Sequence, residues 1–252
     1  MLRNRVIPVL LISNGGLVKT TKFKKPVYIG DPINAVKIFN EKEVDELILL
    51  DITATNEKKE PNYSKIKEIV SEAFMPIGYG GGINKLEQIE NLFMLGVEKV
   101  ILNTSAHTNP DLLRQASITF GNQSIVVAID VNKDFWGKQY MYTNGGKVKQ
   151  KTELITFLKK TVAIGAGEIL INSIENDGMM KGYDLGLIKY VSENVSIPVV
   201  ACGGAGNVQD FYSAIKAGAS AVSAGSMFVF QGVNRAVLIS YPKYEELEKL
   251  LK

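Results

Sequence analysis

Cysteine, histidine and tryptophan each occur once in the 252 residues, as Cys202, His107 and Trp136. A single cysteine cannot close an internal disulfide, and one cysteine with one histidine argues against a His/Cys metal site or a Cys–His nucleophile. Long blocks of like charge are also missing. The 29 basic and 26 acidic residues are interspersed and leave a net charge of +3, so neither a nucleic-acid footprint nor a polybasic membrane patch is present. Small anionic ligands remain compatible with that balance. The longest apolar runs, such as residues 6–12, fall far short of a membrane span, and the N-terminus lacks a charged-then-apolar signal pattern. A cytoplasmic location follows as the expectation. No linker and no low-complexity segment divides the chain, so one domain over 1–252 is expected.

What the sequence does contain is a rhythm. Short β-rich apolar runs recur at 6–12, 47–52, 76–79, 99–102, 124–131, 168–172, 198–201 and 219–224. Between them lie segments with helical spacing, for example Ile33, Val36 and Phe39, or Leu154, Phe157, Leu158 and Val162. Strands that are apolar throughout, alternating with helices, point to an α/β protein with a parallel sheet closed as a (β/α)₈ TIM barrel. An internal two-fold half-barrel repeat favours the closed form over an open doubly wound sheet. Met75-Pro76 returns as Ile197-Pro198 and Gly96-Val97 as Gly218-Ala219, both at an offset of 122 residues. Gly80-Gly81-Gly82-Ile83 is echoed by Gly203-Gly204-Ala205-Gly206. The apolar helix positions, with Phe74 and Tyr79, read as core, and Cys202 as a small buried residue.

In such a barrel the chemistry sits on the loops after the strands. Gly81 and Gly82, with Asn103 and Thr104 after the next strand, form one candidate phosphate cradle, and Gly203, Gly204, Gly225 and Ser226 form a second. Glycine there lets backbone N–H groups approach an anion, and a following helix N-terminus adds positive potential. Two cradles across one mouth suit a ligand with a phosphate at each end. Asp130 ends the strand Val-Val-Ala-Ile-Asp and is the candidate acid–base group, because burial raises a carboxyl pKa toward neutrality. Capping a loop or pairing with Lys133 is the bland alternative. The equivalent position in the first half is Leu11, which can neither give nor take a proton. Asp51, Asn172 and Asp177 are further polar groups at strand ends. Lys19 lies in the segment 15–30, which shows no obvious regular structure and reads as a mobile lid or a solvated basic loop. At the opposite mouth Arg5, Glu46, Lys99 and Glu168 precede or begin strands and would ring the entrance with mixed charge.

Over residues 5–230 these features resemble the cyclase subunit of imidazole glycerol phosphate synthase. The likeness rests on Val18-Lys19, Gly30-Asp31-Pro32, Leu50-Asp51-Ile52-Thr53-Ala54, Gly80-Gly81-Gly82-Ile83, Asn103-Thr104, Ala128-Ile129-Asp130-Val131, Asp177-Gly178 and Gly203-Gly204-Ala205-Gly206. The resemblance implies a (β/α)₈ barrel with no cofactor and no metal. It implies a separate glutaminase subunit docked on the N-terminal face near Glu98, whose ammonia passes a gate of Arg5, Glu46, Lys99 and Glu168 and crosses the barrel. It further implies a bisphosphorylated ribulosyl aminoimidazole substrate at the far mouth. The chain departs from the family at Leu11, where a second aspartate is usual, and at Met179 and Met180 in place of more polar residues. That departure resembles a divergent branch of the family in surface-glycan biosynthesis, where barrel and glutaminase supply ammonia to a third protein, a sugar amidotransferase. A working cyclase in histidine biosynthesis and a non-catalytic phosphometabolite-binding barrel are the alternatives.

Overall fold

The computed structural model describes residues 4–251; residues 1–3 and 252, at the ends of the expected span, lie outside the described residues. In chain order the elements are β1 (Arg5–Ser13), β2 (Gly16–Thr21), β3 (Lys24–Gly30), α1 (Pro32–Glu41), β4 (Leu47–Asp51), α2 (Tyr63–Ser71), β5 (Ile77–Gly80) and α3 (Leu86–Met94). There follow β6 (Lys99–Leu102), α4 (Thr104–Thr108), α5 (Pro110–Phe120), β7 (Ile125–Lys133), β8 (Gln139–Thr143), β9 (Val148–Lys149), α6 (Leu154–Ile164) and β10 (Glu168–Ser173). The remainder is α7 (Leu185–Ser192), β11 (Val199–Cys202), α8 (Val208–Lys216), β12 (Ala221–Ala224), α9 (Ser226–Val229), β13 (Phe230–Gln231), β14 (Ala236–Val237) and α10 (Tyr244–Leu251).

The strands β1, β4, β5, β6, β7, β10, β11 and β12 pair in parallel, each with the next, and β12 returns to β1. The sheet is therefore a closed (β/α)₈ barrel. Its side chains divide by the pleat. One set packs outward with the helices, and the other fills the lumen with Ile7, Val9, Ile48, Ile101, Val126, Ala128, Leu170, Val200 and Ala221. Because successive residues alternate, the inward series on β7 runs Val126, Ala128, Asp130 and that on β1 runs Ile7, Val9, Leu11. The lumen thus delivers one carboxyl and one isobutyl group to the same rim.

The repeat is visible in backbone detail. Asn103 before α4 has φ −115° and ψ −81°, and its mate Gly225 before α9 has φ −116° and ψ −70°. Gln88 on α3 and Asp210 on α8, again 122 residues apart, each turn back to accept the N–H groups at the start of their own helix. Such reciprocal caps satisfy donors that the helix cannot. The N-termini of α3 and α8 are consequently occupied by the chain's own side chains.

Two expectations are corrected. Segment 15–30 is a regular hairpin: β2 pairs antiparallel with β1 across an Asn14-Gly15 turn with φ 50° and 81°, and β3 pairs with β2. Asn-Gly supplies the two positive φ values that match strand twist. Phe74 is 91% exposed at the N-terminal end of the barrel rather than part of the core, whereas Tyr79 is buried. A second hairpin, β8 and β9, extends β7 above the mouth. Helix α5 carries its own signals, an Asn109 cap and Pro110 in the first turn.

Candidate functional site

At the C-terminal mouth, Asp130 accepts hydrogen bonds from the side-chain amides of Asn103 (3.1 Å, to Oδ2) and Asn172 (3.2 Å, to Oδ1). Asn103 also holds the Ala128 carbonyl at 3.0 Å, which ties the end of β6 to that of β7. Burial pushes the Asp130 carboxyl up to about 7; the amides of Asn172 and Asn103 oppose that shift and Asp177 adds to it. A group of this kind exchanges a proton readily at neutral pH. Lys133 takes no part, being bound to Asp184 at 2.6 Å. Leu11 stands on the same rim, partly buried against the lumen, and no acid occupies that position.

Lys19, on β2 of the hairpin, is 6% exposed with its side chain turned into the protein, so it is no part of a solvated lid. Its ammonium donates to the Val9 carbonyl at 2.5 Å. Burial lowers its pKa to about 8, opposed by Asp177 and Cys202. Gly225 lies directly below it: a Cβ there would collide with the ammonium, and would come within 3.0 Å of the Val9 carbonyl oxygen. Asp177 itself is held above its ordinary pKa by burial and is hydrogen bonded to the Thr20 hydroxyl at 3.3 Å. The thiol of Cys202 is pushed up to about 12 by burial, which makes it a poor nucleophile.

The remaining predicted residues fall around this centre. Asp51 Oδ1 accepts from the Thr53 N–H, the Thr53 hydroxyl and the Ala54 N–H at 2.8–3.0 Å, capping the turn after β4. Gly81 packs on the Asp51 backbone, and the Gly82 N–H donates to the Thr55 hydroxyl at 3.2 Å. The Thr104 hydroxyl donates to Asn144 Oδ1 (3.0 Å) and accepts from the Asn144 N–H (3.1 Å). Gly203 lies against Asn172 Oδ1, a buried oxygen with no hydrogen-bond partner, and Gly204 against the Gly182 carbonyl. Ser226 is buried beside Gly225. Thr55, Asn144 and Phe23 were missed by sequence reasoning; Phe23 packs over Gly146 in the β8–β9 turn and roofs the mouth.

The opposite mouth is closed by a ring. Arg5 pairs with Glu46 and Glu168, and Lys99 pairs with the same two carboxylates at 3.0 and 2.9 Å. The signs alternate around the lumen and sum to zero. Glu46 and Glu168 are 4% and 5% exposed, so each depends on its two cations. Burial works against the Arg5 charge, but Glu168 and Glu46 outweigh it and raise the pKa. Glu98 is exposed on this same face, beside Lys99. Away from both mouths, His107 stacks on Phe157 at 3.8 Å, and burial drops its pKa to about 4. Among the described residues no group of three or more His, Cys, Asp or Glu could hold a metal ion, and no helix is long and apolar enough to cross a membrane.

The structure is thus a closed parallel (β/α)₈ barrel with a charged ring at one mouth, an apolar lumen and a polar far mouth. The sequence matches the family described as "Histidine biosynthesis protein" over residues 5–234. It is 51% identical over 249 residues to a Pseudomonas aeruginosa PAO1 protein named "Putative imidazole glycerol phosphate synthase subunit hisF2", covering 98% of this chain and 99% of that one. A Vibrio vulnificus YJ016 protein named as subunit hisF3 is 49% identical, covering 100% and 98%. The "Imidazole glycerol phosphate synthase subunit HisF" of Endomicrobium trichonymphae is 42% identical, covering 92% and 89%. The chain belongs to this family, as a HisF-type barrel.

Proposed function

We propose that this barrel is the ammonia-conducting subunit of a cytoplasmic two-protein glutamine amidotransferase in which the cyclase step has been given up. A glutaminase docks on the N-terminal face, where Phe74 and Met94 (91% and 79% exposed) and Glu98 offer apolar and acidic contacts around the ring of Arg5, Glu46, Lys99 and Glu168. Opening that ring admits ammonia to an apolar lumen, which favours the neutral molecule over ammonium. The ammonia leaves beside Asp130 and passes to a third protein that amidates a sugar. The observation that carries this reading is Leu11. Acid–base catalysis by a carboxylate pair contributes on the order of 10²–10⁴ in rate, and one member of the pair is an alkyl group here.

The second reading, a working cyclase, is favoured by Asp130, whose carboxyl near pH 7 is suited to proton transfer. Ammonium-dependent turnover of the ribulosyl aminoimidazole substrate by the purified barrel separates the two. Inactivity of the wild type, with turnover gained in Leu11→Asp, is the expected result. Wild-type turnover near that of a two-aspartate enzyme would overturn the ammonia-supply reading and leave the cyclase standing.

A further inference from the structure

Above the C-terminal mouth the β7–β8 turn carries two aromatic side chains in open solvent, Phe135 and Trp136, 94% and 87% exposed. Their rings meet edge to face at 5.5 Å. The tip that bears them is firmly built. Asp134 Oδ1 accepts from the Trp136 and Lys138 N–H groups, each at 2.9 Å. The Asp134 N–H donates to the Lys138 carbonyl and the Asp134 carbonyl accepts from the Gly137 N–H, both at 2.9 Å, and Gly137 closes the turn at φ 79°. Two large rings held in water by a preformed turn cost hydration and return little packing, which marks them as a surface built to be covered.

The charge around the tip is one-sided. Residues 22–28 and 133–151 together hold eight lysines and one acid, Asp134, so these two segments carry +7 and the rest of the chain −4 of the net +3. Phe23 of the β2–β3 turn packs on Gly146 of the β8–β9 turn, which sets the two hairpins side by side at the mouth. The fold thus builds a basic patch that the interspersed sequence conceals. Asp134 is spent on its own turn, and Lys133 on Asp184. The other seven lysines are exposed and make no ion pair among the described residues. Lys138 and Lys149 rest on the Tyr140 ring, 5.5 and 3.1 Å from its centre, which fixes two of these charges beside the aromatic tip.

We propose that these two hairpins are the docking surface for the enzyme that receives the ammonia, which meets them with an acidic face and an apolar pocket for Phe135 and Trp136. This rests on the ammonia-supply reading and gives its third protein a place and a surface chemistry. The patch stands at the outlet, where ammonia escaping into water would be protonated and lost, so an acceptor has to close on this rim. A bilayer or a nucleic acid laid across the outlet would leave the ammonia no acceptor, and a second copy of this chain would set +7 against +7. Exposed aromatic anchors ringed by charge are the arrangement in which a few residues dominate binding while the charges set the encounter rate.

The acceptor is purified from the producing cells by its ammonium-driven amidation of sugar, an assay in which docking plays no part. With barrel, glutaminase and acceptor combined, Phe135→Ser together with Trp136→Ser should lower glutamine-driven amidation by about tenfold or more. Ammonium-driven amidation and glutamine hydrolysis should stay at the wild-type rate, and circular dichroism should show the fold intact. Lys138→Glu together with Lys149→Glu should slow association of barrel and acceptor by about tenfold at low salt, and by less as salt rises. Trp136 is the only tryptophan, so a barrel labelled with 5-fluorotryptophan gives one fluorine resonance. That resonance should shift with the acceptor and not with vesicles of phosphatidylglycerol and phosphatidylcholine in equal parts. Undiminished glutamine-driven amidation in the aromatic variant, or a resonance that moves with the vesicles alone, would overturn the docking surface and leave the ammonia-supply reading standing. A wild-type assembly that forms no amidated sugar from glutamine would overturn that reading, and the occupant assigned here with it.

Discussion

A carboxyl carried to the end of an apolar strand is expensive to ionise, and Asp130 meets that cost with two neutral amides rather than a cation. Its pKa of about 7 stands well above the ordinary 3.8. Between those two values the folded protein holds a proton that the unfolded chain has lost, so stability falls as pH rises through this window and levels off above it. The shift corresponds to a few kcal/mol, taking ~1.4 kcal/mol per pKa unit. The stability of the wild type relative to Asp130→Asn should therefore fall between pH 5 and 8, whatever their offset at pH 5. A constant difference across that range would mean that Asp130 is ionised throughout. Asp130 and Leu11 were legible in the sequence because strand ends and a half-barrel repeat located them, whereas Lys19 was read as part of a lid or solvated loop and is buried instead. Asn144 and Thr55 were not: each meets its cradle from a loop far away in the chain, and no local motif marks a contact of that kind.

The β2–β3 hairpin was illegible for a different reason. Its turn, Lys22-Phe23, has φ 53° and 61° without glycine, and most of β3 is exposed and opens on two lysines and a proline, so neither turn chemistry nor alternation announced a strand. Tertiary contacts hold what local preference does not. The Lys22 N–H donates to the Asp177 carbonyl at 2.9 Å, Thr20 binds the Asp177 carboxyl, and Gly178 passes directly under the Thr20 carbonyl oxygen. Gly178 has φ 71°, and a Cβ there would collide with that oxygen and lie 3.1 Å from the Thr21 Cα. Gly178→Ala should lift the hairpin from the mouth at a cost of about 1–3 kcal/mol. Lys22, Lys24 and Lys25 are exposed already, but their backbone is then no longer held in the hairpin, and limited trypsinolysis should cut at them several times faster than in the wild type. Equal cleavage rates would show that the contact with Gly178 is not what holds the hairpin down. The same hairpin buries Lys19, so the variant also tests whether the low Lys19 pKa arises from this cover.

At the scale of the whole barrel, the sequence announced the architecture because eight apolar strands and a 122-residue repeat are redundant signals, each surviving the loss of any one residue. The ring at the N-terminal mouth is the opposite case. Four ordinary charged residues, each flanking a different strand, acquire meaning only when closure of the sheet brings β12 back to β1. Closure puts two carboxylates within reach of two cations and withdraws them from water, which ordinary surface pairs never undergo. Removing one charge then leaves Arg5 and Lys99 sharing a single carboxylate. Glu168→Gln should cost about 3–5 kcal/mol, the loss typical of a broken buried pair. In a chain of this size each kcal/mol moves the melting temperature by about 2–4 °C, so a fall of roughly 6–20 °C is expected. Arg114→Gln, which breaks an exposed pair with Asp111, should leave it unchanged within measurement, and molar salt should rescue neither. If Glu168→Gln melts with the wild type, the ring contributes nothing to holding the barrel shut, and its four residues would be free to serve the passage of ammonia alone.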